Sequence, residues 1–299
     1  MQLKLTLNGS VKPFINYLEN FEKIRSSLLI EIDTTEKAFV AKTYTEDRSS
    51  VRFSAISFED CNMSIVSNDG EQELGTNRIK AGIFMQLAKL IKIIKTFGTN
   101  VDDNGNSVFE INFDYDKLYN QKGAIDFVAT TISFVTEKLK MKMDGFRMSE
   151  FNYLSDEVFN DKVFNVQDPV KFTLTPSTLS SIIDTSDIVK IDPRKDALTF
   201  YVEDNKVYVK DYTAMSDPNK EWSANFIYQI GTLDVDPGYK IKLNIFRKKF
   251  IDMMNKADET YNVILGRRVM PDGSYVVDRI LFDSADSHTK VVISMINEC

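Results

Sequence analysis

The same order of elements occurs twice along this chain, and that repetition constrains its fold more than any single motif. Each half opens on an alternating segment followed at once by a helical one: Gln2–Leu7 before the segment from Val11, and Val170–Leu174 before the segment from Thr175-Pro176. Further alternating segments come next. A strand then runs straight into a second helix, Asn77–Ala81 into Ile83 in one half and Tyr239–Ile245 into Phe246 in the other. Each half closes on a β-meander. Residue identity between the halves is negligible, so what repeats is the pattern of burial and turn. Residues 148–164 break the strand rhythm, are acidic at Asp156-Glu157, and form the natural linker. Domains are therefore expected over 1–147 and 165–299.

The alternating segments are mostly about five to eight residues long and rich in β-branched and aromatic side chains, which predicts antiparallel strands. They include Leu28–Ile32, Ala38–Thr43, Val51–Ile56, Val108–Phe113 and Ile125–Phe134 in the first half. In the second they include Leu198–Val202, Val207–Val209, Tyr261–Leu265, Tyr275–Phe282 and Thr289–Met295. The 21 Phe and 12 Tyr residues favour the same β-rich outcome. Glu203-Asp204-Asn205-Lys206 and Pro271-Asp272-Gly273 supply tight-turn chemistry.

Only four segments have helical periodicity. The first spans about Val11–Arg25, with Ser10 as N-cap, Pro13 in the first turn, and Phe14, Tyr17, Leu18, Phe21 and Ile24 as its apolar stripe. The second spans Ile83–Phe97, buries Ile83, Phe84, Leu87, Leu90, Ile91 and Ile94, and stops at Gly98. A third follows the Thr175-Pro176 cap, with Leu179, Ile182 and Ile183 inward. The fourth, Phe246–Ala257, turns Phe250, Met253 and Met254 inward.

Composition removes several function classes. A hydrophobic share of 43% and a charged share of 27% describe a soluble globular chain with enough apolar residues for its own core. Two cysteines, Cys61 and Cys299, have no metal-type spacing and fit a reducing compartment. No stretch approaches the ~20 apolar residues needed to cross a bilayer, and the amino terminus lacks a signal-peptide core. The 12 glycines are scattered, with no phosphate-cradling loop. The single histidine, His288, is ordinarily a surface residue at the start of the last strand, which leaves zinc sites and His-based triads without their parts. Carboxylate pairs such as Asp102-Asp103 lie in Asn/Gly-rich turns, where solvated loop is the ordinary role. No catalytic residue, metal ligand or cofactor is expected.

Net charge is −7, the wrong sign for a simple nucleic-acid binder, but its distribution is uneven. At about 100° per residue, Lys89, Lys92 and Lys95 cluster on the face of the second helix opposite its apolar stripe, and that helix has no acidic residue. A solvated helix usually mixes signs for i,i+4 pairing. Lys248, Lys249 and Lys256 of the fourth helix likewise point away from Phe250, Met253 and Met254. The first helix adds Lys12 and Lys23, diluted by Glu19 and Glu22. Lysines on one helix are ordinarily for solubility. Basic faces on equivalent helices of a repeated, acidic chain predict non-specific, salt-sensitive contact with phosphates, without the Arg/Asn/Gln forks that read bases.

Two stretches carry a family resemblance. Tyr275-Val276-Val277-Asp278-Arg279-Ile280, then Asp286-Ser287-His288-Thr289-Lys290-Val291-Val292-Ile293, is similar to the closing hairpin of trimeric DNA sliding clamps: apolar-V-V-acidic, loop, H-x-K, apolar strand. Thr173-Leu174-Thr175-Pro176, with Ile182-Ile183 and then Leu198–Val202, resembles the opening of that family's second domain. The family includes the proliferating cell nuclear antigen and the shorter clamps of large bacteriophages, and the topology covers essentially the whole chain. The resemblance implies an α+β DNA clamp fold of two similar domains, each with two helices packed on antiparallel sheets. It implies a homotrimeric ring in which the helices line the hole, so that Lys12, Lys23, Lys89, Lys92, Lys95, Lys248, Lys249 and Lys256 face double-stranded DNA. It also implies a DNA polymerase whose short apolar peptide enters a pocket bordered by Ser274, Val292 and Ser294 and closed by Tyr153 or Leu154. An ATP-driven clamp loader would open the ring, since the chain has no nucleotide site. The cytoplasm is the expected location; short first-domain hairpins lean towards a viral source and hence the host cytoplasm. Two other functions are compatible with the residues: a clamp-fold processivity factor acting as a monomer, and a β-rich hydrolase using a carboxylate pair, for which Trp222 alone offers a flanking aromatic.

Overall fold

The structure, a computed structural model, describes residues 1–83, 87–119, 123–145, 155–188, 197–211, 226–233, 241–254, 259–269 and 275–295. Internal contacts divide the chain into two units, Met1–Thr43 with Phe53–Tyr153, and Tyr44–Arg52 with Leu154–Cys299. The second unit thus takes in a short piece of the amino-terminal half.

The first unit contains, in order, β1 (Gln2–Gly9), α1 (Lys12–Glu22), β2 (Leu28–Asp33), β3 (Ala38–Tyr44), β4 (Ser50–Ser57), β5 (Met63–Asn68) and α2 (Glu71–Leu74). It continues with β6 (Ile79–Ile83), α3 (Leu87–Phe97), β7 (Ser107–Tyr119), β8 (Ile125–Val135) and β9 (Lys140–Asp144). The strands run side by side in the order β4-β3-β2-β6-β8-β7-β1-β5. One edge of β8 is shared: β6 pairs parallel at Phe127 and Val128, and β9 pairs antiparallel at Thr131–Val135. Alternation explains the core. Leu3, Leu5 and Leu7 of β1 face the helices, as do Ile111 and Phe113 of β7 and Ile132 and Phe134 of β8, and all are buried. Against them α1 places Phe14, Tyr17, Leu18 and Phe21, and α3 places Leu87, Leu90, Ile91, Ile94 and Phe97. Phe97 meets Phe109 and Phe134 with ring centroids 5.8 and 5.7 Å away. Each such side chain contributes about 1.5–3 kcal/mol by leaving water. On β2, Glu31 and Asp33 are also buried, where Arg78 bonds both carboxylates (3.2 and 2.8 Å) and Lys42 reaches Glu31 at 3.4 Å.

The second unit contains α4 (Asp156–Val158), which continues as a π-helical turn over Phe159–Phe164, then β10 (Gln167–Leu174), α5 (Pro176–Ile188), β11 (Ala197–Glu203), β12 (Lys206–Asp211) and β13 (Ile227–Thr232). After them come β14 (Lys242–Phe246), α6 (Arg247–Met253), β15 (Tyr261–Val269), β16 (Tyr275–Val276), β17 (Arg279–Ser284) and β18 (His288–Ser294). One antiparallel sheet has the order β10-β15-β17-β18 and another β13-β12-β11-β14. Thr175 caps α5 as its sequence predicts, its Oγ1 accepting the Thr178 N–H at 3.3 Å. Leu179 and Ile182 are buried and Ile183 half-buried.

The α+β fold class and the repeated order hold, with local corrections. Ile83 ends β6, and the helix expected to begin there is seen from Leu87; Phe84 lies outside the described residues. Tyr275–Phe282 is two strands: Tyr275-Val276 pairs with Arg268-Val269 of β15, while Arg279 onward pairs with β18. The carboxy-terminal part of the expected linker is helical. Ser155 caps it, accepting the Val158 N–H at 3.2 Å, and Phe159 is fully buried. Three strands and one short helix carried no clear sequence signal: β5, β9, β13 and α2.

Candidate functional site

The packing of α3 forces its lysines outward. Five apolar side chains are committed to the core, so Lys89, Lys92 and Lys95 stand exposed on the other side. Lys95 is not free: it bonds Glu19 of α1 at 3.1 Å. Lys89 and Lys92 have no ion-pair partner among the described residues. Lys12 and Lys23 are exposed at the two ends of α1. The α6 face departs from expectation. Asp252 lies one turn beyond Lys248 and pairs with it, so this face is mixed in sign. Lys249 is half-buried, with its ammonium on the Asp47 carboxylate and on Ser49 Oγ (2.6 Å), and 4.8 Å from the centre of the Phe246 ring. Burial pushes the Asp47 carboxyl up, but hydrogen bonds from Lys249, Thr45 and Ser49 outweigh it and hold Asp47 well below the usual carboxylate range. Lys249 is therefore a structural cation of the second unit rather than a free one. Lys256 lies outside the described residues.

A second constellation occupies one face of the β10-β15-β17-β18 sheet. Register places Lys171 opposite Ile264, Ile264 opposite Leu281, and Leu281 opposite Val292, one cross-strand row over four strands. Leu281 and Val292 are buried although the core lies on the sheet's other face. The Ser155–Phe164 helix accounts for this. Arg279, on the same face, donates from Nη1 to the Val163 carbonyl (3.1 Å), and Lys290 donates to Asn160 Oδ1 (3.3 Å) and sits 4.7 Å from the Phe164 ring centre. Val292, expected to border an open pocket, is 3% exposed. Ser294 is half-buried, and its N–H donates to the Ser49 carbonyl at 2.9 Å. Tyr153, Leu154 and Ser274 lie outside the described residues. Phe159, Asn160, Phe164 and Arg279 were missed as members of this face, and the i,i+4 spacing of Phe159 and Val163 behind a Ser-Asp-Glu cap was the signal that could have found the helix.

No family model matches the sequence, and no curated protein sequence matches it. Solved structures do. The A. fulgidus PCNA bound to the C-terminal region of FEN-1 superposes with a TM-score of 0.59 at 10% identity, over 99% of each chain. A chain of the PCNA2–PCNA3 complex from Sulfolobus tokodaii gives 0.56 at 14% identity over 100% of both. The DNA polymerase sliding clamp of Bacillus subtilis gives 0.58 at 10% identity, over 100% of this chain and 66% of its own. The fold is that of a sliding clamp. Asp102 is a turn residue whose carboxylate accepts the Asn106 and Asn104 N–H groups at 2.8 and 2.9 Å, and the Asn106 bond leads in holding its pKa down. His288 is exposed, and no group of three metal-ligating side chains is found among the described residues. No described helix is long and apolar enough to cross a membrane.

Proposed function

We propose that the chain is a DNA polymerase processivity factor, one subunit of a ring-shaped sliding clamp that encircles duplex DNA and tethers the replicative polymerase. The observation that carries this reading is the match to clamp structures over 99–100% of the chain. Lys89 and Lys92 on α3, without an ion-pair partner among the described residues, and Lys12 and Lys23 on α1 support a phosphate-facing surface. Two cations per helix suit a ring, because a topologically held clamp needs only weak contacts and must slide. The net charge of −7 discourages DNA from binding elsewhere on the protein.

In this reading three copies close head to tail, an ATP-driven loader opens the ring, and the complex works in the cytoplasm, that of a host if the chain is viral. Two sheet edges support self-association. Among the described residues β9 pairs only with β8 and exposes Met141 (39%) with the adjacent Leu139 (44%), while β13 ends its sheet and exposes Ile227 (65%) and Tyr228 (40%). Large apolar side chains on open edges are an aggregation hazard unless another strand covers them.

The test is retention on DNA. Loaded protein should stay on nicked circular plasmid through gel filtration and run off once the plasmid is linearised. Equal loss from both forms would overturn encirclement, and light scattering showing only monomer would favour a processivity factor that binds without a ring.

A further inference from the structure

The β13-β12-β11-β14 sheet has a polar face as well as an apolar one. Leu198, Phe200, Val207, Val209, Leu243 and Ile245 point one way and are fully buried, so the residues that alternate with them point the other way. Register sets these in cross-strand rows. Lys242, Tyr201, Tyr208 and Gln229 form one row across all four strands, and Asn244, Thr199, Lys210 and Ile227 form the next. A third row carries Glu203, Lys206 and Thr232. Thr199 and Asn244 are buried, the Thr199 hydroxyl donating to Asn244 Oδ1 at 2.8 Å, which closes one corner of the face. The rest is accessible: Tyr201, Tyr208 and Lys210 are half-buried, and Lys206, Lys242 and Gln229 are exposed. The two tyrosine rings stack, with centroids 5.1 Å apart and planes inclined by 17°. The Lys210 ammonium lies 4.6 Å from the centre of the Tyr201 ring. Among the described residues of these rows, three lysines and one carboxylate thus surround an aromatic pair, on a chain whose net charge is −7. Cross-strand packing accounts for the rings touching each other. It does not account for the cations around them.

We propose that this face binds single-stranded DNA, with bases stacking on the Tyr201–Tyr208 pair and phosphates lying against Lys206, Lys210 and Lys242. Every base has a π face, and an antiparallel sheet that holds aromatic rings on neighbouring strands offers those faces a platform. The lysines on both sides of the pair suit the backbone of the same strand. Duplex DNA fits less well, because its bases are already stacked on one another and present no free face to the rings. An acidic peptide would meet the lysines and leave the rings without a partner. The inference goes beyond the encirclement of duplex DNA and rests on that reading only for the strand's being DNA: a polymerase copies a single strand, so a protein that tethers it works beside one. Lys89 and Lys92 of α3 belong to the first unit and take no part in this site.

The test is fluorescence anisotropy of a labelled oligo(dT) of about 15 nucleotides with the full-length protein at about 50 mM salt. Tyr201→Val and Tyr208→Val are combined in one variant, since valine keeps the strand propensity and removes the rings. This variant should bind the strand roughly tenfold more weakly, and an abasic strand of the same length should lose as much against the wild type. Lys210→Gln should lower the salt slope of oligo(dT) affinity by roughly 0.7. Should the tyrosine variant melt below the wild type, the abasic strand and Lys210→Gln decide. Unchanged affinity in a well-folded tyrosine variant, equal binding of the abasic strand, or an unchanged salt slope overturns the proposal. So does tighter binding of oligo(rU), or displacement by polyglutamate as readily as by unlabelled oligo(dT). Retention on circular plasmid does not involve this face and should persist in both variants, so failure here and failure of the ring remain distinguishable.

Discussion

At the scale of single residues, Lys249 shows how a correct surface assignment can miss a role. Helical periodicity places it outside the apolar stripe, as found, but its partner Asp47 lies 202 residues earlier, and no periodicity in sequence encodes such a pairing. Asp47 titrates below an ordinary carboxylate, so its pairing stabilises the fold above about pH 4, the usual value, and is lost as pH falls towards the lowered one. Its side chain is 52% exposed, and solvent screening limits the effect to about 0.5–1 kcal/mol. Urea melts of Asp47→Asn should show that deficit at pH 7 and a shrinking one below pH 4; a deficit unchanged down to pH 2 counts against the pairing. Lys89 and Lys92 behave differently, having no ion-pair partner among the described residues to lose. Substituting both by Gln should leave the melt unchanged and reduce the salt slope of DNA affinity by roughly 0.9 for each phosphate no longer neutralised. Cys61 gives a third readout. Burial, with Asp60 nearby, pushes its thiol up to about 12. Iodoacetamide should therefore modify Cys61 only in denaturant, as peptide mass spectrometry can show.

Among whole elements, legibility followed burial. Strands with one face on the core, such as β1 with Leu3, Leu5 and Leu7, alternate cleanly and were readable to within a residue or two. The strands that were missed lie at sheet margins. In β9 the run Lys-Met-Lys-Met-Asp alternates charge with a flexible apolar residue and has mostly exposed side chains, so its pattern resembles loop. In β13 the first three residues are all exposed. The Ser155–Phe164 helix was hidden for another reason: an acidic, interrupted sequence suggests a linker, and the full burial of its one aromatic anchor, Phe159, is a tertiary fact that no local pattern encodes. Phe159→Ala tests this anchor. Truncating a fully buried Phe costs about 3 kcal/mol or more, here chiefly in docking of the helix. Hydrogen exchange at the amides of residues 158–164 should accelerate, with β1 and β7 amides unaffected. Protection that survives would mean the Arg279 and Lys290 contacts hold the helix without it.

The whole molecule poses a question of symmetry. If β9 of one copy adds to β13 of the next, the junction is heterologous, and a chain with one edge of each kind closes into a ring when the rotation allows. Ile227→Glu and Met141→Glu each put a charge on one open edge and leave the other edge intact. Both side chains are exposed in the single chain, so neither change should cost more than about 0.5 kcal/mol of folding stability. Each variant alone has lost one half of every junction and should run at the 34.2 kDa monomer mass by light scattering. Mixed in equal amounts they should behave differently. The intact β13 of Met141→Glu can meet the intact β9 of Ile227→Glu, and the resulting pair presents only damaged edges. The mixture should therefore stop at a dimer, which neither variant forms by itself. An isologous interface cannot produce that pattern, because each variant would meet its own copy as well as it meets the other. If either variant keeps the wild-type mass, these edges are not the junction. If both are monomeric and the mixture also stays monomeric, the two strands do not pair with each other.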